Sequence, residues 1–373
     1  MSDDPRDELP ASLRAHLSPE TRFFRSPAPF VLDSGAELPG LTLAYRTWGD
    51  PANARDNAIL VCHALTGSAD VDAWWPGMIG PEGAFDPARD FVVCCNIPGS
   101  CYGSTGPVSL RPGGSGERWR ADFPRLTVRD MVRAEHLLLE RLGIERLALV
   151  TGPSLGGMQA LEWALMYPER VGSIVPIGVG GRHSAWCLAM NEAQRQAIYA
   201  DPAWQDGYYN DDDPPERGLA AARMMAICGY RSWHGFEQRF GRERRADGLF
   251  EVQSYFRHQG AKINRRFDAN TYVRLTQAMN EHDIAYGRGE YEAVIARIAQ
   301  PALVVSISSD ILYPPHEQEV LARHMPNARY EILESPHGHD GFLIQTAELA
   351  ALVRDFRKGA ARAGGAALSA ASG

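Results

Sequence analysis

Residues 150–163 read VTGPSLGGMQALEW, in which Gly152-Pro153-Ser154-Leu155-Gly156 places a serine between glycines where an apolar run gives way to a helical pattern. The G-x-S-x-G spacing has a chemical meaning in that context. A sharp strand-to-helix turn needs small neighbours and lifts the serine hydroxyl above the carboxyl ends of the strands. The helix that follows aims its first N–H groups at any charge developing there. A serine nucleophile needs a base, and the base needs an orienting acid. Downstream, Asp310 closes the run VVSISSD, and His337 and His339 both lie in ESPHGHDGF after the last expected strand. The order serine, acid, histidine suits a nucleophile on such a turn. Spacing leaves both histidines open, while His316 sits near a helix start and reads as solvent-facing. An oxyanion would take one N–H from Leu155 and another from a loop after an earlier strand, for which HALTG (63–67) offers Leu65.

These residues need a scaffold, and the apolar rhythm supplies one. NAILVCHALTG (57–67), DFVVCCNIPGS (90–100), RLALVTGPS (146–154) and GSIVPIGVGG (172–181) read as buried strands running into loops. TVRDMVRAEHLLLERLG (127–143) and GMQALEWALMYPERV (157–171) carry apolar residues at helical spacing, the second stopped by Pro168. Such alternation predicts a mostly parallel sheet with helices on both faces. The rhythm breaks over 181–296, where helical segments such as GLAAARMMAICGYRSW and ANTYVRLTQAMNEHD replace strands. It resumes with QPALVVSISSD, EQEVLARHMP and ARYEILES, and the tail 358–373 is small and polar enough to read as flexible. The expected organisation is a core of 1–180 and 297–373 interrupted by a helical lid over 181–296.

Composition narrows the function. The 373 residues are 45% hydrophobic and 23% charged, and the net charge of −8 comes from mixed signs with no basic stripe, which argues against nucleic-acid and membrane partners. The start MSDDPRDELP lacks the basic and apolar parts of an export signal, and no apolar run approaches bilayer length. The six cysteines, two of them adjacent at Cys94 and Cys95, then read as free thiols of a cytoplasmic protein. No spacing suggests a structural metal, and no phosphate-binding or dinucleotide fingerprint suggests a cofactor.

Taken together, HALTGSA, GSCYGSTGP, GPSLGGMQALEWA, ARMMAICGYRS, FDANTYVRLTQAMNEHD and SPHGHDGFL resemble the homoserine O-acetyltransferase family, over residues from about 25 to about 355. The resemblance implies an α/β-hydrolase fold with an inserted helical lid, and an enzyme that starts one route to methionine. It implies Ser154 as the acyl-accepting nucleophile, Asp310 as the acid and His339, the histidine followed directly by aspartate, as the base. It also implies Arg223 and Asp340 as substrate-binding residues, acetyl-CoA and homoserine as substrates with no resident cofactor, and a cytoplasmic homodimer. The residues themselves are consistent with this. Arg223 interrupts an apolar helical stretch, and its fork of donors suits a carboxylate, while Asp340 could hold an ammonium group.

Two positions bear on specificity. Many members carry GGCQGTTGP where this chain has Tyr102 in place of the glutamine, and a different side chain there would alter the space for the acceptor. Relatives that use succinyl groups carry an arginine two residues after the triad aspartate, where this chain has Leu312. A buried succinyl carboxylate would lack a cation beside leucine, which predicts acetyl as the acyl group. Serine as acceptor, succinyl as donor, and a plain serine esterase are the competing readings.

Overall fold

The computed structural model describes residues 4–113 and 116–371. Its ten strands are β1 (Arg22–Arg25), β2 (Phe30–Val31), β3 (Glu37–Leu38), β4 (Thr42–Trp48), β5 (Ala58–Val61), β6 (Phe91–Cys95), β7 (Leu149–Pro153), β8 (Ile174–Ile177), β9 (Ala302–Ile307) and β10 (Ala328–Leu333). Eight form one sheet in the order β1-β4-β6-β5-β7-β8-β9-β10, and β2 pairs with β3 apart from it. From β6 to β10 every pairing is parallel, while β1 and β4 are antiparallel additions at one edge.

Alternation along the strands builds a core on each face. Ala58 and Leu60 of β5, Val150 of β7 and Val304 of β9 join one cluster. Ile59, Val61, Leu149, Leu303 and Val305 join the other. Every residue of β5 through β9 is buried, because helices cover both faces. Cys94 and Cys95 accordingly point to opposite cores, and all six cysteines are free thiols. The antiparallel edge escaped the sequence reading. In TLAYRTW the apolar and polar residues alternate loosely, and pairing to β1 and β6 fixes the strand.

Parallel order brings the loops after β5, β7, β9 and β10 to one edge of the sheet. Those loops carry Leu65, Ser154, Asp310 and His339. Above them lies 181–296, with helices Ala185–Tyr199, Glu216–Tyr230, Trp233–Phe240, Glu251–Asn264 and Ala269–Asn280 and, among the described residues, no strand of either sheet. The helix Glu251–Asn264 crosses Glu216–Tyr230 closely at Gly260, where an added Cβ would stand 3.0 Å from the Ala220 Cβ. The helix Thr346–Ala371 takes in 358–371, since a run rich in alanine has the best intrinsic helix propensity; residues 372–373 lie outside the described chain. Among the described residues no helix is long and apolar enough to cross a membrane.

Candidate active site

Ser154 sits between β7 and the helix Leu155–Met166 with φ 56° and ψ −120°, a region that non-glycine residues rarely adopt. The surrounding backbone holds it there. The Ser154 N–H donates to Ile177 O at 2.9 Å, and Ser154 O accepts from the N–H groups of Gly157 (2.8 Å) and Met158 (3.1 Å). The flanking glycines are explained by contact. A Cβ on Gly152 or Gly156 would run into the Cys62 carbonyl oxygen, and one on Gly157 would lie 2.6 Å from Val179 Cγ1. Small residues let the helix press against β5, and that approach sharpens the turn.

Asp310 and His339, from the ends of β9 and β10, meet at 2.6 Å between Oδ2 and Nδ1. The other carboxylate oxygen, Oδ1, accepts from the N–H groups of Leu312 (2.8 Å) and Tyr313 (3.0 Å), so the backbone sets the carboxylate's orientation. His339 is 2% exposed, and its Nε2 has no protein partner. Burial alone would depress the imidazole's pKa. The Asp310 charge and hydrogen bond outweigh it, helped by Asp340, and the net shift is upward. The two histidines left open by spacing are thus separated: His339 meets the aspartate, while His337 precedes it at the head of the short 3₁₀ turn.

Ser154 opens into a narrow chamber whose walls include Leu65, His183, Tyr230, Leu312 and Tyr313. The rings of Tyr230 and Tyr313 stand 5.9 and 5.3 Å from that of His339, which ties the chamber to the histidine. Leu155 opens the helix, where its N–H has no intrahelical acceptor. The Leu65 loop is tethered from above, because Arg266 Nη1 donates to Thr66 O at 2.8 Å. Tyr102 takes part in that tether. Its hydroxyl donates to Arg266 O at 2.6 Å and accepts from Arg266 Nη1 at 3.0 Å, so it is committed to the arginine.

The two polar residues singled out from the sequence come from different segments, one from 181–296 and the other from the loop after β10. Arg223 lies on the helix Glu216–Tyr230 with its guanidinium 5.5 Å from the Tyr230 ring centroid. Asp340 follows His339 and is paired through Oδ2 with Arg231 Nε at 2.9 Å. Sequence reasoning missed Arg231. It lies within ARMMAICGYRS, but no spacing rule distinguishes the arginine at a helix end from any solvated one. The hydrogen-bonded wall of the chamber was missed as well: His183 Nδ1 shares a hydrogen bond with the Tyr313 hydroxyl at 3.2 Å, its Nε2 accepts from Asn191 Nδ2 at 3.0 Å, and burial lowers its pKa to about 3.

A strained serine after a central parallel strand, with a buried acid–base pair from two later strands, defines an α/β-hydrolase. A profile described as alpha/beta hydrolase fold matches residues 57–345, and the chain belongs to that fold family. Within it the chain belongs to the homoserine O-acetyltransferase family. It is 55% identical over 345 residues to homoserine O-acetyltransferase of Chlorobaculum tepidum, covering 92% of this chain and 97% of that one. It is 54% identical over 343 residues to that of Trichormus variabilis, covering 92% and 95%. Among solved structures, homoserine O-acetyltransferase from Bacillus anthracis superposes with a TM-score of 0.82 at 25% identity over 90% of this chain and 97% of the other. Esterase E22 superposes with a TM-score of 0.83 at 26% identity over 91% and 99%.

Proposed function

We propose that this chain moves an acetyl group from acetyl-CoA to the side-chain hydroxyl of L-homoserine, through an acyl-serine at Ser154. The observation that carries the chemistry is His339, buried with Nδ1 engaged by Asp310 and Nε2 without a protein partner. In the first half-reaction Ser154 Oγ attacks the thioester carbonyl and His339 Nε2 takes the proton. The N–H groups of Leu155 and Leu65 hold the oxyanion. The C–S bond breaks, the leaving thiolate takes the proton, and CoA departs. In the second half-reaction the homoserine hydroxyl gives its proton to His339 and attacks the acyl-serine, and Ser154 is released protonated. Arg223 would hold the acceptor's carboxylate and Asp340 its ammonium group. Residues 181–296 act as a lid that keeps water from the acyl-serine, which decides for transfer over hydrolysis.

The donor reading rests on Leu312, which is 8% exposed and lines the chamber beside Ser154. An acetyl methyl fits an apolar wall, whereas a succinyl carboxylate there would lose its hydration without gaining a cation. Acyl-CoA enters and leaves as a substrate, and the reaction calls for no resident cofactor. We also propose a homodimer in the cytoplasm, supported by free thiols and by Trp186 and Trp233, which are 50% and 75% exposed on lid helices.

An esterase reading draws support from the likeness to esterase E22, but at 26% identity against 55% for the acetyltransferase of Chlorobaculum tepidum. One assay separates the readings: the purified chain with acetyl-CoA or succinyl-CoA and with homoserine, serine or water alone, followed by free-thiol release. The expected result is thiol release that needs homoserine and prefers acetyl-CoA, with an acylated Ser154 peptide when acetyl-CoA is given alone. Thiol release as fast in water as with homoserine would establish a hydrolase.

A further inference from the structure

The segment leaving the lid helix Glu216–Tyr230 grips the loop that carries His339 and Asp340. A Cβ on Gly338 would stand 2.7 Å from both Arg231 C and Ser232 N, so residues 230–232 lie directly against that glycine, whose φ is +67°. The Ser232 hydroxyl donates to Pro336 O. From the other side, Ser309 Oγ accepts from the Gly338 N–H at 2.9 Å. The loop is therefore clamped between the core and the lid. The one charged bond in the clamp is Arg231 Nε to Asp340 Oδ2 at 2.9 Å, with side chains only 22% and 16% exposed.

We propose that Arg231 is the positioning residue of the acceptor site: by engaging Oδ2 of Asp340 it fixes that carboxylate for the acceptor's ammonium group. The inference rests on the reading of Asp340 as the ammonium site. A carboxylate so placed must stay ionised although largely buried. Burial raises its pKa and the nearby Asp310 charge raises it further, while Arg231, Arg223 and His339 act in the opposite direction. Of the two arginines, Arg223 stands over Tyr230 and is free to meet the acceptor's own carboxylate. Arg231 is committed to Oδ2 of Asp340, which sets the orientation in which the carboxylate meets the acceptor.

The test is a double-mutant cycle on the full chain, with pre-steady-state acylation by acetyl-CoA and steady-state turnover of homoserine measured separately. In Arg231→Met, kcat/KM for homoserine should fall by about 10-fold or more, while acylation stays within about twofold. Arg231→Lys should recover part of the loss, since an ammonium restores the charge without the guanidinium geometry. In an Asp340→Asn background Arg231→Met should cost nothing further. The acid limb of kcat/KM for homoserine should move to higher pH in Arg231→Met, because loss of the cation raises the pKa of Asp340. A purely structural arginine would slow both half-reactions together and leave that limb in place. A loss in Asp340→Asn with none in Arg231→Met, or additive losses in the double variant, overturns the role given to Arg231 alone. Unchanged homoserine kinetics in Asp340→Asn overturns both this role and the reading of Asp340. Should Arg231→Met not fold, Arg231→Lys carries the same comparison with a smaller loss.

Discussion

Ser154 and Asp310 are held by backbone groups, whereas Arg223 and Arg231 are held by side chains. The Ser154 peptide is fixed by Ile177, Gly157 and Met158, and the Asp310 carboxylate by the N–H groups of Leu312 and Tyr313. By contrast, Arg223 stands 5.5 Å from a tyrosine ring centroid and Arg231 reaches Asp340 through one bond. The core side is stiff because moving it would break strand and helix hydrogen bonds. The arginine side is held by single side-chain contacts, which give way without breaking a strand or a helix. On the function proposed above, the stiff half handles the acyl group and the more adaptable half, Arg223 above all, the acceptor.

The largest expected effect is on the stiff half. Ser154→Ala should reduce transfer by about 10⁴-fold or more with the melting temperature held, because a hydroxyl is lost and little packing with it. Asp310→Asn should approach the same loss and carry a pH signature. His339 has its pKa raised above 6.5. Acylation should therefore fall as pH drops through a value above that of an unperturbed histidine, and the asparagine variant should shift that limb downward. An unmoved limb would remove Asp310 from its pairing role.

Next comes the packing that makes the turn. Gly156→Ala places a methyl group against the Cys62 carbonyl oxygen, backbone that cannot give way. A loss of about 3–5 kcal/mol in unfolding free energy is expected, visible as a lower denaturant midpoint. A neutral substitution would show that the strand and helix at the elbow can separate.

On the adaptable half, Arg223→Ala should cost about 1.5–3 kcal/mol of acceptor binding, read as a roughly 10- to 100-fold fall in kcat/KM for homoserine with acylation unchanged. If acylation falls as far as overall turnover, the two halves do not divide the labour between them.

The smallest effect lies beneath the elbow. Glu135 is fully buried, accepts from Trp163 Nε1 at 2.7 Å, and is pushed by burial from 4.5 to about 8. It is protonated in the fold and ionised in the unfolded chain between those values, so its contribution to stability is lost as pH rises through that window. Glu135→Gln removes the titration and keeps the acceptor. Its melting temperature should match wild type below pH 4.5 and exceed it at pH 8, with activity within about twofold. Equal melting temperatures at both would mean that the carboxyl is already ionised in the fold.

How far the site could be read in advance follows the same division. Gly152, Ser154 and Gly156 announced themselves because a tight strand-to-helix turn admits few residue types, and the constraint is local. The buried strands were legible because both faces need apolar residues, which leaves an unbroken run such as ILVC. Strand β4 was not, because its looser alternation becomes a strand only between β1 and β6. The sequence by itself determined the central sheet, the helical interruption over 181–296 and the order of Ser154, Asp310 and the histidine pair. Tertiary structure alone decided that Tyr102 is committed to Arg266 and that Asp340 is paired with Arg231, and it supplied the contact of His339 with Asp310, which spacing had left open between two histidines and only the family resemblance had assigned. Each of those is a contact between side chains far apart in sequence or at a turn whose direction spacing does not encode. Local propensity and periodicity report which face a residue shows, not which distant partner fills the space it faces.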